Sequence, residues 1–264
     1  MRYDNFVFEN DAGVATIRLD DPAKLNALTF QTYADLERIT AGLAGDKAVD
    51  VVVLTGSGKG FCSGGSVDGI IGPLLKMDAD EQRRFTRLTC NVVQNMRALK
   101  KPIIAAVNGI AAGAGAVLML AADLRIFSDA ARAAFLFVKI GLSGADMGTL
   151  WLLPRIVGAG KAAELVYFGD TIDAQEAYRI GLANRVVPAA DLMQETMAWA
   201  RRLQQGPLGA IGVTKQLLER ESAADLRSAL EMEARAQAEC MQSADFHEGY
   251  RAFMEKRPAQ FNRA

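Results

Sequence analysis

The chain has 264 residues, half of them apolar, enough for one large core. Its 30 Lys and Arg against 31 Asp and Glu leave a formal charge of -1, which argues against a general nucleic-acid or membrane-surface role. Three cysteines, Cys62, Cys90 and Cys240, have neither an even count nor metal-ligand spacing; no disulfide framework or metal site is expected, and reduced thiols point to the cytoplasm.

In chain order, MRYDNFVFENDAGVATIRLD alternates polar and apolar residues and lacks the basic start and apolar stretch of a signal peptide. Asp11-Ala12-Gly13 splits it into two short runs, which predicts a hairpin. TFQTYADLERITAGLAGD carries apolar residues at helical spacing. VDVVVLTG is the apolar, β-branched run of a strand buried on both faces, KPIIAAVNG repeats it, and AADLRIFSD is a weaker third strand. Helices are expected from Gly158 to Phe168 and from Asp173 to Ile180, the second with an acidic N-cap.

After the short run ANRVV, helical patterns fill DLMQETMAWARRLQQG, AIGVTKQLLERE and AADLRSALEMEARAQAECMQ. Strands alternating with helices indicate an α/β fold built from βαβ units, followed by a helical piece. The division is set at Gly206-Pro207, giving a core domain over 1-206 and a C-terminal helical segment over 207-264. No apolar run approaches the ~20 residues that span a bilayer.

Two glycine-rich turns follow strand-like runs: GSGKGFCSGGSVDG after VVVLTG, and NGIAAGAGAV after KPIIAA. Missing side chains let a ligand approach the backbone, and a helix starting at such a turn presents unpaired N–H groups. Two such turns could converge on one carbonyl oxygen and stabilise the negative charge it develops. For one turn alone, tight packing is the better explanation; two after two strands weaken it. Neither has dinucleotide or Walker spacing. The single histidine, His247, lies in a charged segment, which counts against a Ser-His mechanism.

The segments VATIRLDDPAKLNALT, GFCSGG, KPIIAAVNGIAAGAG, AADLRIF, LPRIVG and EGYRAFMEKRPAQF together resemble the crotonase, or enoyl-CoA hydratase/isomerase, superfamily over nearly the whole chain. The resemblance implies a ββα spiral core with a C-terminal helical segment, and a coenzyme A thioester as substrate. It further implies an oxyanion hole from the N–H groups of Gly65 and Ala114. The CoA arm would pass Lys24, Leu25, Ser63, Ser66 and Val67, with Phe253 and Lys256 closing over the nucleotide end. A homotrimer or dimer of trimers is expected, with no cofactor beyond the coenzyme A of the substrate, no nucleic acid, no membrane and no metal.

Hydratases of this superfamily carry two glutamates that hold and activate water. Here the first place is taken by Val117 and the second falls at or near Lys139. One carboxylate remains nearby, Asp146 in GLSGADMGTLWLLPR, resembling members with an aspartate in this loop. Beside an apolar helix it could have a raised pKa and act as acid or base; its competing role is N-cap of the following helix. Asp68 and Asp123 are read as structural. If Phe135, Phe137 and Trp151 face the pocket, a bulky or aromatic acyl group would suit them.

The expected function is therefore acyl-CoA processing: hydration of a 2-enoyl-CoA through an oxyanion hole and a single aspartate. Isomerisation or thioester hydrolysis suits the same single acid, and a non-catalytic acyl-CoA-binding protein is the alternative from another class.

Overall fold

A computed structural model describes residue 3 and residues 5–261. Among the described residues ten strands form two sheets: β1 (Phe6–Asp11), β2 (Val14–Leu19), β3 (Val51–Gly56), β4 (Gly60–Cys62), β5 (Ile103–Val107), β6 (Ile110–Ala112), β7 (Leu124–Ser128), β8 (Arg132–Ala134), β9 (Thr171–Asp173) and β10 (Arg185–Val187). The larger sheet runs β1-β2-β3-β5-β7-β10, the smaller β4-β6-β8-β9. Only the pairs β1/β2 and β8/β9 are antiparallel.

The opening hairpin forms where expected. Ala12 and Gly13 both hold positive φ, +46° and +89°, the backbone that a two-residue turn needs to match the strand twist. All six residues of β3 and all five of β5 are buried, because the sheet is covered on both sides. One face packs into the main core; on the other, Val51, Val53, Ile104 and Ile126 meet Leu192 and Ala200. Each of the Val, Ile and Leu side chains there contributes roughly 1.5–3 kcal/mol on burial.

The helices are α1 (Phe30–Gly42), α2 (Ala79–Ala98), α3 (Ala114–Ala121), α4 (Thr149–Val157), α5 (Ala159–Phe168), α6 (Ala174–Arg179), α7 (Leu192–Gln204), α8 (Leu208–Glu221), α9 (Leu226–Met241) and α10 (Ala244–Glu255). Thr29 and Asp78 close capping boxes on α1 and α2, satisfying orphan N–H groups at the helix starts. Asp173 caps α6, accepting from the Glu176 N–H as the sequence predicts. Along the chain, β3-β4-α2, β5-β6-α3 and β7-β8-α4 repeat one unit, a strand from each sheet and then a helix. This is the ββα spiral that the resemblance implies.

Strands β4, β6, β8 and β9 are absent from the sequence-based expectations. Each has three residues, too few for a period-2 pattern to register, and β4 and β6 lie inside segments read as turns. The α7 helix covers the back of the large sheet, and Gly206-Pro207 falls between it and α8. Helix α8 is tied down by Lys215, only 6% exposed, which donates to Met96 O, Lys101 O and Asp123 at 3.1, 3.0 and 2.8 Å. Arg97 bridges Asp123 and Glu219 at 3.4 and 2.8 Å. Asp123 thus serves a structural network. Beyond it, α9 buries no residue and α10 buries only Ala252. No described helix is long and apolar enough to cross a membrane.

Candidate active site

The first glycine turn is held by the loop that precedes α1. Asn26, at φ +58°, donates its amide to Ser57 O and Gly60 O at 2.9 and 2.7 Å and accepts from Asp21 N at 3.0 Å. Ser63 then bonds the same loop twice, its N–H donating to Leu25 O (3.0 Å) and its hydroxyl to Lys24 O (3.2 Å). Further on, Leu28 N donates to Gly64 O and Ser66 N to Leu28 O, both at 2.8 Å. Ser66 caps the π-type turn Val67–Ile71, its hydroxyl accepting from Gly69 N at 3.1 Å. Lys24, Leu25, Ser63, Ser66 and Val67 therefore share one rim; Leu25 is 40% and Val67 72% exposed.

The second turn meets the first in direct contact. Gly64 has φ +97°, and a Cβ there would lie 2.9 Å from Ala112 O and 3.5 Å from Ala114 N. Gly113, at φ +50°, precedes α3, and its N–H is used by Ala134 O at 2.9 Å. A Cβ on Gly115 would collide with the carbonyl oxygen of Cys62, so α3 rests on β4 only because that position is bare. Tight packing and backbone access are served by the same small residues. The N–H groups of Gly65 and Ala114 have no acceptor among the described residues, and Ala114 opens α3, where the helix dipole adds positive potential.

Asp146 lies in the loop before α4. Its carboxylate is not the cap: Gly148, at φ +90°, occupies that position, and the main-chain oxygen of Asp146 accepts from Thr149 N and Oγ1 at 2.9 and 2.7 Å. Burial pushes the Asp146 carboxyl up to about 6, opposed by a hydrogen bond from the Met147 backbone. Met147 is buried at φ +47°, and its Sδ lies 3.9 Å from the hydroxyl of Tyr33. The Tyr33 pKa is raised well above its ordinary value by burial and then by the Asp146 charge. Around it, Phe85 meets Tyr33 and Phe30 edge-on at 5.5 and 4.7 Å, and Ile70 packs over Gly65.

Other expected residues lie elsewhere. Val117 is fully buried in α3 and offers no polar atom. Lys139 points to Asp170 at 3.4 Å, and Asp68 is exposed. Of the three aromatics proposed for the acyl wall, Phe137 stands beside Gly113, where a Cβ would lie 3.9 Å from its ring. Phe135 is fully buried in the core, and Trp151 stacks under Arg155 at 4.0 Å. Phe253 is 81% exposed on α10 and Lys256 forms its left-handed C-cap. No hydrogen bond or ion pair among the described residues joins either to the rim, so one chain does not show the expected closure. Cys62 is inert by burial, its thiol pushed up to about 12. Tyr33 and Phe30 escaped the sequence reading; the helical spacing of FQTYADL was the only available signal.

The chain matches the family Enoyl-CoA hydratase/isomerase over residues 9–264. It is 36% identical over 263 residues to the crotonyl-CoA hydratase of Syntrophomonas wolfei, covering 99% of each chain. It is 33% identical to the 1,2-epoxyphenylacetyl-CoA isomerase of Escherichia coli K12, covering 95% of each. A crystal structure from Streptomyces coelicolor A3(2), assigned as an enoyl-CoA hydratase, superposes with a TM-score of 0.97 at 46% identity, covering all of this chain and 96% of that one. With the spiral core and the paired glycine turns, these likenesses make the chain an enzyme of the enoyl-CoA hydratase/isomerase family, the crotonase superfamily.

Proposed function

We propose that the enzyme adds water to 2-enoyl-CoA thioesters, using the Gly65 and Ala114 N–H groups as an oxyanion hole and Asp146 as its only acid-base group. The observation that carries this reading is the contact of Gly64 with Ala112–Ala114, which brings two turns with unpartnered N–H groups to one junction. A thioester oxygen accepting from both would gain stabilisation as it takes on enolate charge. Asp146, with a carboxyl near 6, is poised close to working pH. Its carboxylate takes a proton from water as the water oxygen bonds to C3. The electron pair of the C2–C3 double bond moves into the enolate, and the proton returns to C2.

The acyl chain would lie toward Tyr33, Phe30, Phe85 and Ile70, which suits a bulky or aromatic group as well as a short one. The rim of Lys24, Leu25, Ser63, Ser66 and Val67 would carry the CoA arm. Closure by Phe253 and Lys256 then requires another copy, in keeping with the expected trimer or hexamer. The exposed Leu226, Leu230, Phe246 and Tyr250 of α9 and α10 suit burial by such a copy. The three free cysteines support a cytoplasmic location, where thiols stay reduced.

The test is turnover of but-2-enoyl-CoA and 3-phenylprop-2-enoyl-CoA by wild type and Asp146→Asn, followed by mass spectrometry with binding measured by calorimetry. Wild type gains the mass of water on the product; the variant binds but turns over roughly 100-fold or more slowly. A second reading, double-bond isomerisation, is favoured by the single carboxylate, which can remove a proton and return it two carbons away. It predicts conversion of a 3-enoyl-CoA at unchanged mass. Binding of all probes without chemistry would leave an acyl-CoA-binding protein.

A further inference from the structure

We propose that Tyr33 is a positioning residue for Asp146, acting through Met147 as a buried clamp between α1 and the loop before α4. The inference rests on the reading of Asp146 as the acid-base group.

Three observations meet there. Met147 follows the carboxylate directly and holds φ +47°, a left-handed backbone that is strained for any side chain with a Cβ and persists only where its surroundings enforce it. The Met147 side chain is 2% exposed, and its thioether lies 3.9 Å from the Tyr33 hydroxyl. Tyr33 is itself 3% exposed, so water cannot satisfy that hydroxyl, and the sulfur is its hydrogen-bond acceptor. The ring is held in turn by Phe85, edge-on at 82°.

Asp146 thus sits one residue from a pinned, strained residue and two from Gly148 at φ +90°. A loop with two successive left-handed residues can relax by turning over, which would carry the carboxylate toward water. The hydroxyl–thioether contact opposes that movement and keeps the carboxyl in its dry position. The titratable groups facing this point are Asp146 and, behind Tyr33, the Cys62 thiol, both of which act on the Tyr33 hydroxyl. No cation is among the causes of the Asp146 shift; burial raises the carboxyl and the Met147 backbone hydrogen bond opposes it.

The experiment compares wild type, Tyr33→Phe, Met147→Leu and the double variant. Tyr33→Phe keeps the ring and deletes only the hydroxyl; Met147→Leu keeps apolar volume and deletes the acceptor. Titration of Asp146 is followed by NMR in protein labelled with 13C at aspartate carboxyls, the resonance assigned with Asp146→Asn, and turnover of but-2-enoyl-CoA is measured across pH. Each single variant should lower the Asp146 midpoint and the acidic limb of kcat/KM by about half a pH unit or more, reduce kcat about tenfold, and leave KM within about twofold. The double variant should fall no further than the worse single one, since both remove one contact.

An unchanged midpoint in Tyr33→Phe overturns the clamp, whatever happens to turnover. Loss of thermal stability with an unmoved midpoint also overturns it, leaving Tyr33 a packing residue. If Asp146→Asn retains full turnover, the acid-base reading fails instead, and the carboxyl titration still decides whether Tyr33 holds the loop.

Discussion

The two flanks of the site are built by opposite means. On one, Gly64 and Gly115 press two turns together, with the backbone of Leu28, Gly64 and Ser66 locked by hydrogen bonds of 2.8 Å. On the other, Asp146 hangs from a loop whose neighbours Met147 and Gly148 are both left-handed. The flank that would receive developing charge is made of main chain and admits no side chain. The flank that would move the proton is a single side chain kept dry by packing. The geometry of the first flank is thus written into the sheet pairing, whereas the carboxylate of the second is adjustable by changes in one loop and its neighbours.

That contrast can be broken most severely at Gly115. Gly115→Val would drive Cβ into the Cys62 carbonyl, which cannot move without parting β4 from α3. Failure to fold, or a loss above roughly 4 kcal/mol in denaturant unfolding, is expected.

The acid flank should respond in the other direction. The Asp146 carboxyl is raised from 3.8 to about 6, so across that window the folded state keeps a proton the unfolded chain has lost. Stability therefore falls as pH rises through it. Asp146→Asn should accordingly stabilise the fold by something of the order of 2 kcal/mol at pH 7.5, with the gain shrinking below pH 4, as read by urea unfolding at both pH values. Turnover carries the complementary sign, because the base must be ionised. The acidic limb of kcat/KM, which reports the free enzyme, should bend at about pH 6, and a bend near pH 4 would mean a solvated carboxylate.

The smallest effect is expected on the rim. Lys24→Ala should raise KM for a CoA thioester about two- to fivefold with kcat unchanged, and the difference should fade at high salt, as an exposed charge contact does. An unaltered KM at low salt would remove Lys24 from the CoA path.

Much of this was legible because the physics concerned is local or strongly patterned. The β-branched runs of β3 and β5 are continuous since both faces are covered, and the Asp173 cap and the Ala12-Gly13 turn have short-range signatures. The paired glycine turns were visible in the sequence as two bare segments after buried strands, and the structure brings them into contact at Gly64 and Ala112. What sequence spacing could not supply was the reason for each glycine. Only the fold puts Cys62 O against Gly115 and Ala112 O against Gly64. Asp146 was found as a residue but not as an environment, since its dryness depends on Tyr33, more than a hundred positions earlier. The expected closure by Phe253 and Lys256 is not seen among the described residues, where Phe253 stands 81% exposed.

The pairing order of the large sheet also bears on how the enzyme comes into being. Strands β1 and β2 meet through a two-residue turn, but Val52 must find Ile103 and Ala105 must find Arg125 before β3, β5 and β7 exist. Such parallel pairings close long loops and form slowly compared with the hairpin. Because Gly65 lies beyond β4 and Ala114 beyond β6, the two N–H groups proposed as donors come together only after Cys62 has paired with Ala111. During refolding, thioester binding should therefore lag behind helix formation, and a partly folded chain would carry the residues of the site without the site.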